Sequence, residues 1–204
     1  MARPREFDVD TALERALDVL WSKGYEATSL DDLCEATELS RSSLYATFGS
    51  KRKLLLRSVE RYVERRTPNI AAILARPLLI HAAFAALLEE FIDQIVAGPG
   101  RRGCFLGNCA AELPRSDRAA LAKVRQGLAC TEAIFRDALA RAKTRGELRA
   151  DADVAALARF LTAAIQGLRL VGKVNPDRTA LKDIAKMALQ CLGPQPLPRA
   201  ARKH

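Results

Sequence analysis

The sequence predicts an all-α protein of about nine helices, and two observations support this fold class. Apolar residues recur at spacings of three and four, which is the period of a helix with one buried face. Val and Ile are sparse, and no segment alternates apolar and polar residues as a half-buried strand does. Glycine and proline interrupt the helical pattern at intervals, and these interruptions set the predicted helix boundaries.

Two helices are predicted before residue 40. The first, 8–23, has one apolar face and ends at Gly24, a residue type that commonly closes helices. Ser29 and Asp32 stand three residues apart, which approximates the capping box that opens a helix. We therefore predict a short second helix over 30–37.

A third and a fourth helix follow at once. Helix 41–48 comes directly after Ser40, a favourable N-cap residue, and Gly49 closes it. Helix 51–66 is longer and is predicted to end before Pro68, because the residue preceding a proline is biased away from helical geometry.

This break divides the chain into a domain over 1–66 and a larger helical domain over 67–192. The tail 193–204 is rich in proline and is predicted to be unstructured. The helices predicted in the larger domain are 78–96, 104–112, 117–145, 152–173 and 177–192.

The composition is that of a water-soluble folded chain. Of the 204 residues, 49% are hydrophobic and 28% are charged, which argues against disorder and membrane burial. The longest apolar stretch, 77–88, is too short for a bilayer-spanning helix, and the N-terminus lacks the apolar core of a signal peptide. We expect a cytoplasmic protein with no membrane partner.

The cysteines give no indication of a metal site. They are odd in number and scattered, no CxxC spacing occurs, and the chain has two His. We expect reduced thiols, no metal and no cofactor. The five cysteines are Cys34, Cys104, Cys109, Cys130 and Cys191.

The charge distribution changes sign at Ser40. Residues 1–39 carry four Lys/Arg and ten Asp/Glu, whereas residues 40–66 carry eight Lys/Arg and two Asp/Glu. A short basic block behind an acidic one suggests a positioned contact surface rather than nonspecific adhesion. The excess of cations that gives the net charge of +9 lies in 67–204, and we interpret it as solvated helix faces.

The short helices 30–37 and 41–48, joined by three residues, have the form of a helix-turn-helix. That motif needs a short brace, a tight turn and a second helix whose outer side is free. Leu44 and Phe48 mark the inner side of the second helix, so hydroxyl groups, one Arg and one Tyr are left on its outer side.

Those outer residues suit contact with duplex DNA. Arg41 can engage guanine, and the methyl group of Thr47 can contact the thymine methyl. Tyr45, Thr28 and Lys51 suit phosphate contacts, and the helix that begins at Lys51 offers its positive N-terminus as well. The predicted DNA-binding residues are Thr28, Ser29, Arg41, Ser42, Ser43, Tyr45, Thr47 and Lys51.

Residues 9–56 resemble the DNA-binding domain of the TetR family of repressors. The resemblance rests on Gly24-Tyr25, on Leu44-Tyr45-x-x-Phe48 and on Ser50-Lys51, all in register. It implies an all-helical homodimer with an N-terminal three-helix helix-turn-helix domain. It also implies that a variable C-terminal domain binds a small-molecule inducer and releases a palindromic operator.

The last two helices are, by this resemblance, the dimer interface, forming a four-helix bundle with a second copy. Their small and apolar residues are equally compatible with an internal core stripe. The predicted interface residues are Leu157, Leu161, Ala164, Gly167, Leu168, Leu181, Ile184 and Ala188.

The segment around Cys104 is the second distinctive stretch. Its Gly-Cys-x-x-x-Asn run, which ends at Asn108, is similar to one in a TetR subgroup that includes electrophile and oxidant sensors. Cys104 stands at a predicted helix N-terminus beside Arg101 and Arg102, and both features favour the reactive thiolate. The alternative is a small buried thiol with a packing role only.

The inducer pocket is expected among the helices of the larger domain, although most aromatic residues at helical spacing belong to a core. The predicted sensor and pocket residues are Cys104, Phe84, Phe91, Phe105, Asn108, Phe135, Phe160 and Gln166.

An enzyme is not expected, because the sequence has no nucleophile-base set, no metal cluster, no paired inward carboxylates and no phosphate-binding glycine loop. Two alternatives to a repressor stay open: a helical adaptor that binds proteins through the basic face, and a regulator that acts as an activator.

Overall fold

The computed structural model describes residues 8–193, and all regular structure within that range is helical. The all-α prediction is confirmed. The predicted unstructured tail lies, beyond Gly193, outside the described residues. The α-helices are α1 (Val9–Lys23), α2 (Leu30–Thr37), α3 (Arg41–Phe48), α4 (Lys51–Leu74), α5 (Ile80–Val96), α6 (Phe105–Glu112), α7 (Arg118–Thr144), α8 (Val154–Val174) and α9 (Arg178–Leu189), with short 3₁₀ helices at Pro99–Arg102 and Gln190–Leu192.

Local caps explain why α2 and α3 begin where they do. Ser29 Oγ accepts a hydrogen bond from the backbone N–H of Asp32 at 3.1 Å, and the Asp32 carboxylate accepts one from the Ser29 N–H at 2.9 Å. This is a complete capping box. Ser40 Oγ caps α3 by accepting from the Ser43 N–H at 3.1 Å. Glu38, between the two helices, takes the left-handed conformation with φ 59° and closes the turn.

Helix α4 is longer than predicted, since it continues through Pro68 to Leu74. The proline has no N–H for the carbonyl of Glu64, and a proline inside a helix costs about 3 kcal/mol. Three apolar side chains of the added turns are 1% to 6% exposed and offset this cost. They are Ile70, Ile73 and Leu74.

The described residues up to Pro68 and the segment Arg102–Cys130 form one compact unit, called unit 1. Its core joins α1–α4 with α6 and the first part of α7. Trp21, Tyr62 and Phe105 form an aromatic cluster there, with ring centroids 5.1 to 6.4 Å apart. The sequence division after residue 66 separates α6 from these partners, because spacing alone does not show which core a short apolar helix joins.

The remaining described residues form unit 2, which consists of Asn69–Arg101 and the chain from Thr131 onward. The rings of Phe84 and Phe135 meet edge to face at its centre, with centroids 5.2 Å apart. Helices α5 and α8 pack closely, since a Cβ at Gly172 would lie 2.8 Å from Ile95 Cδ1.

Helix α8 is long and apolar enough, by length and composition, to cross a membrane. The prediction that no segment reaches this length is therefore wrong for Val154–Val174. The cause is that α8 is apolar on two faces. Leu161 and Leu168 lie in the core of unit 2, whereas Leu170 and Val174 are 66% and 83% exposed.

Candidate nucleic-acid interface

Helix α3 separates its apolar and polar sides as a recognition helix requires. Leu44 and Phe48 are 3% and 4% exposed and belong to the core of unit 1. Arg41, Ser42 and Tyr45 are exposed, as is Ala46 between Tyr45 and Thr47. The short side chains on the outer side allow close approach to base edges in the major groove.

Hydroxyl groups cluster at the N-terminus of α3. The Oγ atom of Ser40 lies 2.9 Å from the Oγ atoms of both Ser42 and Ser43. Thr47 Oγ1 donates to the carbonyl oxygen of Ser43 at 2.8 Å. These groups therefore satisfy one another in the free protein, and they can exchange those bonds for bonds to phosphate or bases.

Arg41 is held by the carboxylate of Asp31 in α2. Its Nη2 donates to both carboxylate oxygens of Asp31, at 2.7 and 2.9 Å, and its Nε donates to one of them at 3.1 Å. Both side chains are more than 60% exposed. Water screens an exposed pair of this kind, so it contributes little to stability and a guanine can compete for the guanidinium.

Lys51, the first residue of α4, lies against the turn between α1 and α2. Its Nζ is 4.6 Å from the ring centroid of Tyr25 and donates to the carbonyl oxygen of Glu26 at 3.4 Å. Ser50 caps the same helix by accepting from the Lys53 N–H at 3.1 Å. A lysine and a helix N-terminus at one place favour binding of a phosphate.

Two of the predicted DNA-binding residues have structural roles in the free protein. Thr28 is 1% exposed, and its hydroxyl donates to the carbonyl oxygen of Gly24 at 2.5 Å. Its side chain is therefore not presented at the surface. Ser29 is exposed, but its hydroxyl is the cap of α2. The capping role of Ser29 was predicted from its spacing with Asp32, whereas the hydrogen bond from Thr28 to Gly24 is not visible in the residue pattern.

Several cations of the basic block at 40–66 form ion pairs with carboxylates of unit 1, which their spacing in the sequence does not show. The two carboxylate oxygens of Glu14 in α1 bind Arg61, at 2.6 Å, and Arg65. Arg52 makes two hydrogen bonds to Asp117, at 2.6 and 2.7 Å. The acidic residues before Ser40 are thus partners of the basic ones after it, in addition to any external polyanion.

Cys104 is the N-cap residue of α6 and is 6% exposed. The hydroxyl of Tyr62 points at its sulfur, with the oxygen 3.7 Å from Sγ. Asn108 Nδ2 donates to the carbonyl oxygen of Arg102 at 2.9 Å and so closes the backbone around the thiol. The guanidinium of Arg102 itself lies 4.0 Å from the Trp21 ring centroid and forms an ion pair with an acidic residue of α1.

The other predicted pocket residues do not share one place. Phe105 lies in the core of unit 1, whereas Phe84, Phe91 and Phe135 lie in the core of unit 2, each at most 4% exposed. Phe160 on α8 is 49% exposed. Gln166, also on α8, is half-buried.

The predicted dimer residues also differ in burial. Leu161, Leu168 and Leu181 are at most 1% exposed and pack in the core of unit 2, so their side chains are not available to a second chain. Ala188 is 6% exposed. Gly167 is exposed, and Leu157, Ala164 and Ile184 are half-buried.

A cleft of about 250 Å³ lies between α4 and α7 in unit 1, at a place that was not predicted from the sequence. Lys123 and Glu60 form an ion pair of 2.5 Å at this cleft, and Cys130 lines it. Across residues 8–193, no group of three or more His, Cys, Asp and Glu side chains is arranged to hold a metal ion.

Two family profiles match this chain. Residues 12–57 match the bacterial regulatory proteins of the tetR family, and residues 82–188 match the tetracyclin repressor-like C-terminal domain. The chain belongs to the TetR family. Both matches agree with the architecture described above, in which a helix-turn-helix precedes a larger set of helices.

Relatives of this TetR-family protein match along nearly their whole length. The uncharacterized HTH-type transcriptional regulator YezE of Bacillus subtilis is 34% identical over 194 residues, which is 94% of this chain and 100% of YezE. The HTH-type transcriptional repressor ComR of Escherichia coli is 33% identical over 191 residues, 92% of this chain and 90% of ComR.

Solved structures show the same TetR fold. A cysteine mutant of the TetR family transcriptional regulator CifR, complexed with 26-bp double-strand operator DNA, has a TM-score of 0.83 and 32% identity. The match covers 92% of this chain and 98% of that one. Reduced E. coli NemR has a TM-score of 0.80 at 17% identity, covers 88% of this chain and 94% of NemR, and supports the fold alone.

Proposed function

We propose that this TetR-family protein is a homodimeric transcriptional repressor that inserts α3 into the major groove of a palindromic operator. The observation that carries the proposal is the division of α3 into a buried apolar side and an exposed side of short hydroxyls, Arg41 and Tyr45. The operator complex of the similar protein CifR supports this reading. The proposed location is the cytoplasm, where bacterial operator DNA lies.

Within the groove, some of these residues are proposed to contact bases and others to contact phosphates. Arg41 is proposed to read guanine, and the methyl groups of Ala46 and Thr47 to contact thymine. Tyr45 and Lys51 are proposed to bind phosphates and to set the register without reading sequence. Ser42 and Ser43 complete the proposed contact set, together with backbone groups near Ser29.

The dimer interface is proposed to lie on the exposed apolar side of α8. Leu170 and Val174 lie one turn apart and are 66% and 83% exposed, and Met187 on α9 is 61% exposed. Such exposure of large apolar side chains is the mark of an interface. The proposed face contains Phe160, Gly167, Leu170, Val171, Val174 and Met187.

The signal that ends repression is proposed to be either a small molecule or modification of Cys104 by an electrophile or oxidant. With a quinone or enone, Sγ bonds to the β-carbon, the C=C π bond opens, and the resulting enolate takes up a proton in place of the one that the thiol loses. With a peroxide, Sγ takes one oxygen as the O–O bond breaks, which gives a sulfenic acid and releases water or an alcohol. Cys104 is enclosed by Tyr62 and by the α6 backbone, so an added group has to displace one of them. A shift of α6 inside unit 1 would then reach the helices that read DNA.

The experiment that tests the DNA-binding assignment is selection of genomic fragments that the purified dimer retains, followed by gel-shift titration of the variants R41A, Y45A and K51A. We expect Y45A and K51A to weaken binding on all duplexes, and R41A also to relax base preference. Unchanged affinity in all three would remove α3 from the interface. An adaptor would show no preference among duplexes, and an activator would bind the operator but raise transcription of the adjacent gene.

A further inference from the structure

Glu112, the last residue of α6, binds the turn between α1 and α2 of the same unit. Its Oε2 accepts hydrogen bonds from the backbone N–H of Tyr25 at 2.6 Å and of Glu26 at 3.3 Å. The carboxylate thus holds two successive amides of a turn 87 residues away in sequence. Hydrogen bonds to an ionised acceptor are roughly twice as strong as neutral ones.

Gly24 makes this contact possible. Its φ of +90° lies in a region that side-chain-bearing residues rarely adopt, and a Cβ there would lie 2.8 Å from Glu112 Oε1. The glycine therefore both ends α1 and leaves room for the carboxylate. Only the first of these roles was predicted from the sequence.

The two residues whose amides Glu112 holds are the two that hold Lys51. The ring of Tyr25 lies under the ammonium group, and the carbonyl oxygen of Glu26 accepts a hydrogen bond from it. A continuous set of contacts therefore runs from the end of α6, through the turn, to the lysine at the start of α4. All of its members belong to unit 1.

We infer that Glu112 is a positioning residue for DNA binding, which fixes the α1–α2 turn so that Lys51 is held where it meets a phosphate. The inference rests on the proposed function, because Lys51 must contact DNA for its position to matter. It assigns to α6 a direct structural link with the DNA-contacting surface through one carboxylate.

If Glu112 acted only through its charge, its removal would change DNA affinity in the opposite direction from a loss of positioning. A carboxylate near a polyanion is repelled, so its loss would raise affinity if charge were its only effect. Loss of positioning lowers affinity instead. The direction of the change therefore separates the two explanations.

The test is fluorescence anisotropy of the full-length dimer with its selected operator over a range of salt concentrations, for E112A, E112D, E112Q and K51A. We expect E112A to bind about tenfold more weakly and to show a salt slope lower by about one per protomer, as K51A does. E112D keeps the charge but is one methylene too short, so we expect it to resemble E112A. E112Q keeps the reach and an acceptor oxygen, so we expect near-normal binding.

The double variant supplies the decisive comparison. If Glu112 acts through Lys51, K51A/E112A binds no more weakly than K51A. The inference is overturned if the losses of affinity in K51A and E112A multiply in the double variant. It is also overturned if E112A binds operator DNA as tightly as the parent or more tightly. If K51A alone leaves binding unchanged, Lys51 does not contact DNA and the inference fails, whereas the proposed function fails only if R41A and Y45A are unchanged as well.

The matched control is E60A, which breaks an ion pair with Lys123 between α4 and α7 of the same unit. It removes a carboxylate of similar charge without touching the α1–α2 turn, and we expect no loss of affinity. If E112A does not fold, the contrast between E112D and E112Q, which both keep a polar side chain at the end of α6, still decides the question.

Discussion

Asp31 in α2 binds Arg41 in α3 through three hydrogen bonds of 2.7 to 3.1 Å. The residue proposed to read guanine is therefore already engaged in the free protein. DNA has to replace this carboxylate, either with a phosphate, which is present in every sequence, or with the O6 and N7 atoms of a guanine.

We expect D31A to raise the affinity for every duplex severalfold and to reduce the ratio between operator and scrambled DNA. The variant removes a negative charge beside the polyanion and frees Arg41 for phosphates. By contrast, we expect R41A to lose about 1–3 kcal/mol of discrimination at one base pair. Competition gel shifts measure the ratio of operator to scrambled-DNA affinity for D31A and the discrimination at the one base pair for R41A. D151A breaks the exposed Arg149–Asp151 pair in unit 2 and serves as the control.

The salt dependence of operator binding is expected to be weaker than the basic block suggests. Eight phosphate contacts per protomer would give a slope of about −7 per protomer. Arg52, Arg61 and Arg65 are paired with carboxylates of unit 1, so we expect a clearly smaller slope. Affinity measured against salt concentration gives the value, and a slope near −7 would show that DNA breaks these ion pairs.

Val174→Arg is expected to convert the dimer into a folded monomer. Val174 is 83% exposed, so the substitution costs little inside one protomer but places a charge in the proposed interface. Light scattering after gel filtration measures the mass, and we expect operator affinity to fall at least tenfold because two half-sites no longer bind together. Thr144→Arg, at an exposed position on α7, is the control and is expected to stay dimeric.

Two carboxylates give a defined pH dependence of stability. A hydrogen bond from Lys23 lowers the pKa of Asp32 to about 2, and one from Arg52 lowers the pKa of Asp117 to about 2. Because each pKa is below the unfolded value of 3.8, the stabilisation is complete above that value and is lost as pH falls toward 2. In urea unfolding, the free energy of unfolding of D117N is therefore expected to be lower than that of the parent at neutral pH. The two values are expected to converge near pH 2.

Cys104 and Cys109 provide a matched pair for the proposed thiol signal. Burial raises the pKa of Cys109 to about 12, so this thiol stays protonated and unreactive at neutral pH. We expect a quinone to release the parent and C109S from operator DNA, and C104S to stay bound. Equal release of C104S and the parent would remove Cys104 from the mechanism, and peptide mass spectrometry identifies the modified thiol.

The elements that the sequence predicted best are those set by local chemistry. Helix α3 was predicted to the residue, because a serine cap and a positive-φ glycine enclose it. The predicted end of α4, at residue 66, was wrong because burial of Ile73 and its neighbours outweighs the local effect of Pro68. Local preference decides a boundary only where tertiary packing does not oppose it.

The site was predictable in outline and not in its contacts. The outer side of α3 follows from a period of 3.6, since two apolar residues fix the inner side. Neither the pairing of Glu14 with Arg61 nor the bond from Glu112 to Tyr25 follows from spacing, because these partners are 47 and 87 residues apart. The basic block was therefore interpreted as a free surface although Arg41, Arg52, Arg61 and Arg65 pair with carboxylates of unit 1.

Cys104 and Glu112 lie at the two ends of α6, a single helix of eight residues. If the thiol and the grip on the α1–α2 turn are coupled through this helix, thermodynamics makes the coupling reciprocal. If a reversible thiol ligand lowers the affinity for operator DNA by some factor, operator DNA must lower the affinity for that ligand by the same factor. Occupied operators would then shield their own repressors, and the unbound pool would respond to the signal first.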